Sequence, residues 1–368
     1  MKILDKYLLK RMVAAMVKTA LALVLIVIMI DLLTHRRGQI LRYDVPWYVV
    51  LRYYAAFTPE ILVKYQAAAL SVLISALLVL GQAAQHNEIV GALSGGISLR
   101  RIVRMPVLAA FAAAVLLFVM QETVGAAAAR DAGQTVDRYF SKTPYSGREG
   151  VDWANLSSTT DASVIWTCHI EKFNRIAHTG EGVLIYTIGS DAFTQIEARR
   201  IFWDETQKKW LLEDGLWLEF HPGGEELRTK RRITQLAAPF DDTPSDLFAW
   251  EESPDAKTAR QLARDLTKAE LRRIPVHNRW VYYHAKFSQP ALCFVMIWLA
   301  IPFAMRLRRG GIAVSFGVSL AIAVTYLAVF SIGMLLGDVG RLSPLVAAWL
   351  ANGVFLAVGL FLFCKTPT

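Results

Sequence analysis

The sequence has 368 residues, of which 54% are hydrophobic, and a formal net charge of +9 at pH 7. A soluble core cannot bury that much apolar surface, which excludes an ordinary soluble domain and indicates insertion in a lipid bilayer. The charge is uneven, because residues 122–279 contain 21 Lys and Arg against 25 Asp and Glu, whereas the remaining residues contain 19 against 6. The basic remainder favours anionic neighbours such as lipid headgroups.

Six apolar segments have the length that a membrane-spanning helix requires, about 17–25 residues for a hydrocarbon layer of about 30 Å. They cover residues 12–30, 61–81, 105–120, 287–305, 311–337 and 345–364. The predicted fold is an α-helical membrane protein with six transmembrane helices, three on each side of an inserted domain in a 3+3 arrangement.

Basic residues in short loops predict the orientation of the chain, because such residues are enriched on the cytoplasmic side. They lie before the first and third spans and after the fourth, at Lys2, Lys6, Lys10, Arg11, Arg100, Arg101, Arg104, Arg306, Arg308 and Arg309. Both termini are therefore expected in the cytoplasm, and residues 122–279 are expected to be exported.

The segment 31–58 is predicted to be the first exported loop. It is rich in aromatic residues and contains four arginines, Arg36, Arg37, Arg42 and Arg52. So many arginines on the exported side oppose the usual charge distribution, and an anionic ligand would account for them. Lys64, one turn into the second span, fits either a functional role or a lysine whose amine reaches the membrane surface.

The stretch between the second and third spans predicts a short cytoplasmic helix, at about residues 84–98. Ile89, Val90, Leu93 and Ile97 recur at helical spacing before the glycine pair 95–96 interrupts the pattern. The same periodicity fits a helix that lies on the lipid surface.

The large insert changes to short β-prone runs separated by glycine- and proline-rich turns. These runs cover residues 162–170, 183–188, 193–203, 210–220 and 231–237. They predict an all-β domain of the sandwich or jelly-roll type. An amphipathic helix at about 256–273 follows, opened by Ser253-Pro254-Asp255. The predicted division is residues 1–121 with spans one to three, 122–279 as the β domain, and 280–368 with spans four to six.

Motifs for covalent or nucleotide chemistry do not occur in the sequence, which has no GxxxxGK[ST], HExxH, CxxC or GxSxG pattern. Its three cysteines are far apart, so no metal or redox site is predicted. The spans also lack the mid-membrane acidic residues or histidines typical of proton-coupled transport. An energy source on a partner protein is therefore favoured.

Several blocks of the sequence together resemble one family. They are EIVGALSGGISLRR at 88–101, ARRIFW at 198–203, WLLEDG at 210–215, FSQP at 287–290, AIPFAMRLRRGG at 300–311 and GRLSPLVAAWLAN at 340–352. Their order and spacing resemble the lipopolysaccharide-export permeases of the LptF/LptG (YjgP/YjgQ) family over nearly the whole chain.

This resemblance implies a permease subunit of an ABC-type exporter in the bacterial inner membrane, with a jelly-roll-like periplasmic domain. Such a subunit extracts lipopolysaccharide or a related anionic glycolipid toward the outer membrane. The implied partners are a cytoplasmic ABC ATPase dimer, a second homologous permease and periplasmic jelly-roll bridge proteins that extend the sheet. ATP is expected on the ATPase, so that this chain catalyses no reaction and binds no cofactor, and no nucleic acid is expected.

The resemblance also implies site residues. Lipid A phosphates are anions that arginine and lysine recognise, and the residues expected to contact the glycolipid are Arg36, Arg37, Lys64, Arg130 and Arg138. The residues expected to couple to the ATPase are Glu88, Ile89, Leu93, Gly95, Gly96, Arg100 and Arg101. Members commonly carry Glu-x-x-x-Pro after the third span. Here residues 122–126 read ETVGA, so a different hinge is expected.

Two other functions fit parts of the sequence. One is a membrane scaffold or mechanotransmitter that a cytoplasmic ATPase drives without transporting lipid. Charge reversal at Arg36 and Arg37 would then leave function intact, whereas changes near Glu88 would abolish it. The other is a secondary transporter, which would act without any ATPase and is disfavoured by the missing intramembrane acids.

Overall fold

The structure is a computed structural model that describes residues 3–140, 154–161, 164–174, 177–188, 193–221, 227–240, 243–244, 253–271, 276–306 and 311–365. By internal contacts the chain divides into two units. The first contains Met1–Val136, Pro254–Arg260 and His277–Thr368, and the second contains Asp137–Ser253 and Gln261–Val276.

Eleven α-helices occur in the described ranges. They are α1 (Ile3–Asp31), α2 (Arg37–Tyr43), α3 (Trp47–Val63), α4 (Ala67–Gln85), α5 (Glu88–Ser94), α6 (Leu99–Met120), α7 (Ala126–Tyr139), α8 (Ala259–Leu271), α9 (His277–Arg306), α10 (Gly311–Asp338) and α11 (Pro344–Cys364). Two π-helical turns, Leu32–Arg36 and Gln121–Gly125, join α1 to α2 and α6 to α7, and a 3-10 turn, Pro254–Ala256, precedes α8.

Within the described part of the chain, six helical stretches are long and apolar enough to cross a membrane. They are Asp5–Tyr43, Ala67–Gln85, Leu99–Val136, His277–Met305, Val314–Asp338 and Pro344–Cys364. Each overlaps one of the six predicted apolar segments, so the prediction of six such helices is confirmed by length and composition.

The segment predicted as the first exported loop is mostly helical in the structure. The first span continues through the π-helical turn to Tyr43, and α3 begins at Trp47 after a left-handed residue, Asp44. The buried residues of α3 include Val49, Phe57 and Ile61, which recur at multiples of four and so share one face. The sequence did not predict this helical course, and the expected position of residues 31–58 on the exported side stays a prediction.

The third span is longer than predicted, since helical backbone runs from Leu99 through the π-helical turn Gln121–Gly125 into α7. Ala126 occupies the position at which the resemblance implied a proline. A proline inside a helix removes a backbone N–H donor and clashes with the preceding turn. Ala126 avoids that disturbance at the start of α7, whereas Pro106 is accommodated inside α6.

Helices α4 and α9 form the interior of the first unit. Of the residues in their most apolar stretches, 78% and 67% are buried, against 6% for the stretch that contains α1 and 22% for α10. The core between them contains Leu73, Leu77 and Met296. A buried polar chain also links three helices, because the Tyr326 hydroxyl donates to Asn352 Oδ1 at 2.8 Å and Asn352 Nδ2 donates to the Ser288 carbonyl at 2.7 Å.

The second unit contains one antiparallel sheet of six described strands, in the order β1 to β6. The strands are β1 (Ala154–Asp161), β2 (Val164–Asn174), β3 (Thr179–Ile188), β4 (Phe193–Asp204), β5 (Lys209–Phe220) and β6 (Leu227–Ala237). The predicted runs overlap β2 to β6, whereas β1, with its sequence ANLSSTTD, was missed because it lacks an apolar alternation. The jelly-roll arrangement stays a prediction.

Alternating residues of the strands build the core on one side of this sheet. Ile170, Ile185, Ile196 and Leu212 are at most 1% exposed, as is Trp210, whose ring meets Phe173 and Trp203 edge-on. This alternation is the period of two that a sheet with one buried face requires.

Candidate functional site

Arg36 lies in the first π-helical turn and points into a polar cluster. Its guanidinium donates to Gln39 Oε1 at 2.8 Å and to the Tyr53 hydroxyl at 2.9 Å, and lies 4.8 Å from the centre of the Tyr53 ring. Its Nε is 3.7 Å from the Asp31 carboxylate, which also accepts a hydrogen bond from Tyr54 at 3.1 Å. Arg36 is thus held in place, and Asp31 balances its charge.

Arg37, the next residue, points elsewhere because successive helical residues are turned by about 100°. It is exposed, and within the described ranges its side chain makes no hydrogen bond or ion pair. Arg37 is therefore the member of the predicted pair whose charge is available to an external anion.

The two other predicted arginines are exposed on α7. Arg130 donates from Nε to the Ala126 carbonyl of its own helix at 3.3 Å. Arg138 belongs to the second unit, whereas Arg130 belongs to the first. A pair that sequence reasoning missed is Arg52 and Asp131, whose Nε and Oδ2 atoms lie 3.2 Å apart and join α3 to α7.

Lys64 follows α3 and is already engaged by two carboxylates. Its amine donates to Glu60 Oε1 at 3.0 Å and to Asp255 Oδ2 at 2.7 Å. Partial burial disfavours the charged amine, but the two carboxylates outweigh that effect, so the pKa of Lys64 is raised above its ordinary value. The contact between Lys64 and Glu60 could have been predicted from the sequence, because residues four positions apart lie on the same face of a helix.

The predicted coupling segment forms helix α5, which is shorter than the predicted range because residues up to Gln85 belong to α4. Ile89 is 3% exposed and Leu93 packs partly against the bundle core, so both face inward. Gly96 ends the turn after α5 with a φ of 78°, a left-handed conformation that favours glycine. The outward-facing members of the predicted set are Gly95, Gly96, Arg100 and Arg101.

Glu88 begins α5 and faces the start of α1. The Tyr7 hydroxyl lies 3.5 Å from Glu88 Oε1, and the Arg11 guanidinium lies 4.0 Å from Oε2. Arg11 itself donates to Tyr7 at 2.7 Å and to Gln82 Oε1 at 2.8 Å. Glu88 therefore stands beside a polar group that joins α1 to α4, and sequence reasoning had no signal for this contact.

In the described ranges, no group of three or more His, Cys, Asp or Glu side chains is placed to hold a metal ion. The six apolar helices and the separate antiparallel sheet define a multi-pass membrane protein with a β-sheet unit inserted in its chain.

Residues 6–365 match the family described as lipopolysaccharide export system permease LptF/LptG. Because the match covers nearly the whole chain, the protein belongs to the LptF/LptG family, and the resemblance seen in the sequence is confirmed. The comparison with individual curated proteins found no match.

Proposed function

We propose that this protein is a permease subunit of an ATP-driven exporter that extracts lipopolysaccharide, or a related anionic glycolipid, from the inner membrane toward the outer membrane. The observation that carries the proposal is the family match over residues 6–365. Membership of this family makes the chain a transport component rather than an enzyme. ATP would be hydrolysed on a separate ABC ATPase dimer.

A second, homologous permease is the proposed partner within the membrane. Two spans are mostly unburied, namely the span that contains α1 and the span formed by α10. In α1 the exposed residues include Val17, Lys18 and Leu21. A lysine facing hydrocarbon inside a span is costly unless it reaches the interface or a polar cavity. A permease pair with α1 and α10 at a shared cavity would satisfy Lys18 and cover these faces.

The other proposed partners would bind on the two sides of the membrane. The exposed turn after α5, with Arg100 and Arg101 beside it, would dock the ATPase dimer on the cytoplasmic side. The sheet would be periplasmic, in the jelly-roll-like domain. Its outermost described strands, β1 and β6, are the candidates for extension by periplasmic bridge proteins through β-strand addition.

The proposed orientation can be tested with the native cysteines. Cys364 is exposed near the end of α11, whereas Cys168 and Cys293 are fully buried. Burial also raises the pKa of Cys168 to about 12, so its thiol stays protonated and unreactive near neutral pH. We expect a membrane-impermeant maleimide to label the protein in inside-out vesicles and not in intact spheroplasts.

The Cys364→Ser variant is the control for that experiment, and it should remain unlabelled in both preparations. Labelling of the native protein in intact spheroplasts would place the carboxyl terminus in the periplasm and contradict the proposed orientation.

The proposed glycolipid contacts are Arg37, Arg36, Arg130 and Arg138, and Arg37 is the strongest candidate because its side chain is exposed and has no described partner. Lys64, the fifth expected contact, is a weaker candidate because Glu60 and Asp255 already bind its amine. We expect Arg37→Glu to reduce bound glycolipid about tenfold, as the loss of one charge-assisted hydrogen bond implies. The measurement is native mass spectrometry of the tagged complex, gently extracted from its own membrane.

Arg341→Glu is the matched control, because Arg341 is also exposed and lies on the same proposed side of the membrane. This variant should retain as much bound glycolipid as wild type.

Arg36→Ala should instead lower the melting temperature, since it removes the partner of Asp31 and Tyr53. Wild-type protein that carries the ATPase and no glycolipid would favour the mechanotransmitter, and a lone chain without either would contradict the exporter.

A further inference from the structure

Residues 254–260 make a short return of the chain to the helical unit. The residues before them, Asp137–Ser253, and after them, Gln261–Val276, belong to the second unit. The returning segment is nevertheless tightly packed, since Ala256, Lys257 and Ala259 are only 4–6% exposed. Such packing in a seven-residue segment requires specific attachment to the helices.

Two carboxylates make that attachment. Asp255 accepts the 2.7 Å hydrogen bond from Lys64 at the end of α3. Glu122, in the second π-helical turn, accepts the backbone N–H of Ala259 at 2.9 and 3.0 Å with its two oxygens. Ala259 is the first residue of α8, where unpaired N–H groups and the helix dipole favour a negative charge.

Lys286, on α9, is a buried cation beside the same attachment. It is 4% exposed and makes no hydrogen bond or ion pair within the described ranges. It lines a cavity of about 30 Å³ together with Lys64 and Asp255, and it lies within electrostatic range of Asp255 and Glu122. A buried charge is expensive, and Asp255 and Glu122 are the carboxylates that favour the charged form of Lys286 against that cost.

We propose that Lys64, Lys286 and Glu122 are positioning residues that anchor residues 254–260 to the helical unit, and that Lys64 serves in this anchor rather than as a phosphate ligand. A phosphate at the Lys64 amine would have only its third N–H to bind, and would have to approach the carboxylates of Glu60 and Asp255, which already neutralise the charge. The anchor ties α3, the π-helical turn and α9 to one segment, so these elements hold the chain where it enters α8.

Charge exchange tests the anchor. Lys64→Glu places a third carboxylate beside those of Glu60 and Asp255. Combining Lys64→Glu with Asp255→Lys restores a pair of opposite charges. Trypsin cleaves after lysine, so the rate of cleavage after Lys257, in the full-length protein in detergent, reports detachment of the segment. We expect the single variant to be cut about tenfold faster than wild type and the double variant to regain most of the protection.

The control is the exposed pair Arg228 and Glu219, 3.2 Å apart on β6 and β5. Arg228→Glu should leave cleavage after Lys257 unchanged, since that pair includes none of the proposed anchor residues. A double variant cut as fast as Lys64→Glu would overturn the anchor.

The glycolipid content of the same variants separates the anchor from the phosphate contact. If the double variant regains both protection and bound glycolipid, Lys64 acts through Asp255. If it regains protection without glycolipid, Lys64 contacts the glycolipid and that half of the proposal fails. The cleavage result does not depend on the proposed function, because it needs neither lipid nor ATPase.

Discussion

The Gly215→Val substitution is expected to prevent the six-stranded sheet from folding properly, lowering the free energy of unfolding of the second unit by about 3 kcal/mol. Gly215 lies on β5 between Ala198 of β4 and Ile233 of β6. A Cβ atom at this position would overlap the carbonyl oxygen of Glu197 and lie 3.0 Å from the Ala198 Cα. Both obstacles are backbone, so rotation of a side chain cannot relieve them, and the β4–β5 pairing has to separate.

Leu216→Val is the matched control, since it places the same side chain one position further along β5, where a Cβ already exists. Urea unfolding of the full-length protein in detergent, followed by proteolysis of the sheet, measures both variants. Equal resistance of Gly215→Val and Leu216→Val would show that the strands can move apart at no cost, contrary to this prediction.

Asn352→Leu is expected to lower the free energy of unfolding of the helical unit by roughly 2 kcal/mol. Asn352 and Tyr326 are 3% and 0% exposed, and their hydrogen bonds join α10 and α11 to the Ser288 carbonyl of α9. Leucine has a similar size but leaves the Tyr326 hydroxyl without its acceptor. Tyr326→Phe should cost less, because Asn352 then keeps its bond to Ser288.

Thr325→Val is the control for this series, because the Thr325 hydroxyl is exposed and donates only to the Ala321 carbonyl of its own helix. Thermal unfolding in detergent should rank the variants with Thr325→Val closest to wild type and Asn352→Leu furthest from it. A melting temperature of Asn352→Leu equal to that of Thr325→Val would mean that the buried chain of hydrogen bonds adds no stability.

The predictable parts of the fold are those whose signal is local. Mean hydropathy located all six apolar helices, and alternating apolar residues located β2 to β6. Strand β1 has no such alternation, and it is identified only by its pairing with β2. The mostly helical structure of residues 31–58 was not predicted. Four arginines in a short segment are typical of a polar loop when their partners in the folded chain are unknown.

In the candidate site, too, the sequence does not reveal contacts between residues that are far apart in the chain. The arginine pair 36–37 is visible in the sequence, but which of the two is buried depends on the phase of the π-helical turn and on Tyr53, 17 positions away. The contact of Lys64 with Asp255 joins residues 191 positions apart. Without knowledge of that contact, Lys64 looks like a free cation near a basic segment, which agreed with the role that the resemblance implied for it.

The uninterrupted helix from Leu99 to Val136 has a mechanical consequence. At 1.5 Å per residue its 38 residues extend about 57 Å, nearly twice the thickness of a bilayer core of about 30 Å. One end lies beside the turn that follows α5, and Arg130 lies about 46 Å along the same rod. A tilt applied at the first end therefore becomes a sideways displacement at the other, since Pro106, the one proline between Leu99 and Arg130, lies only about two turns from the first end.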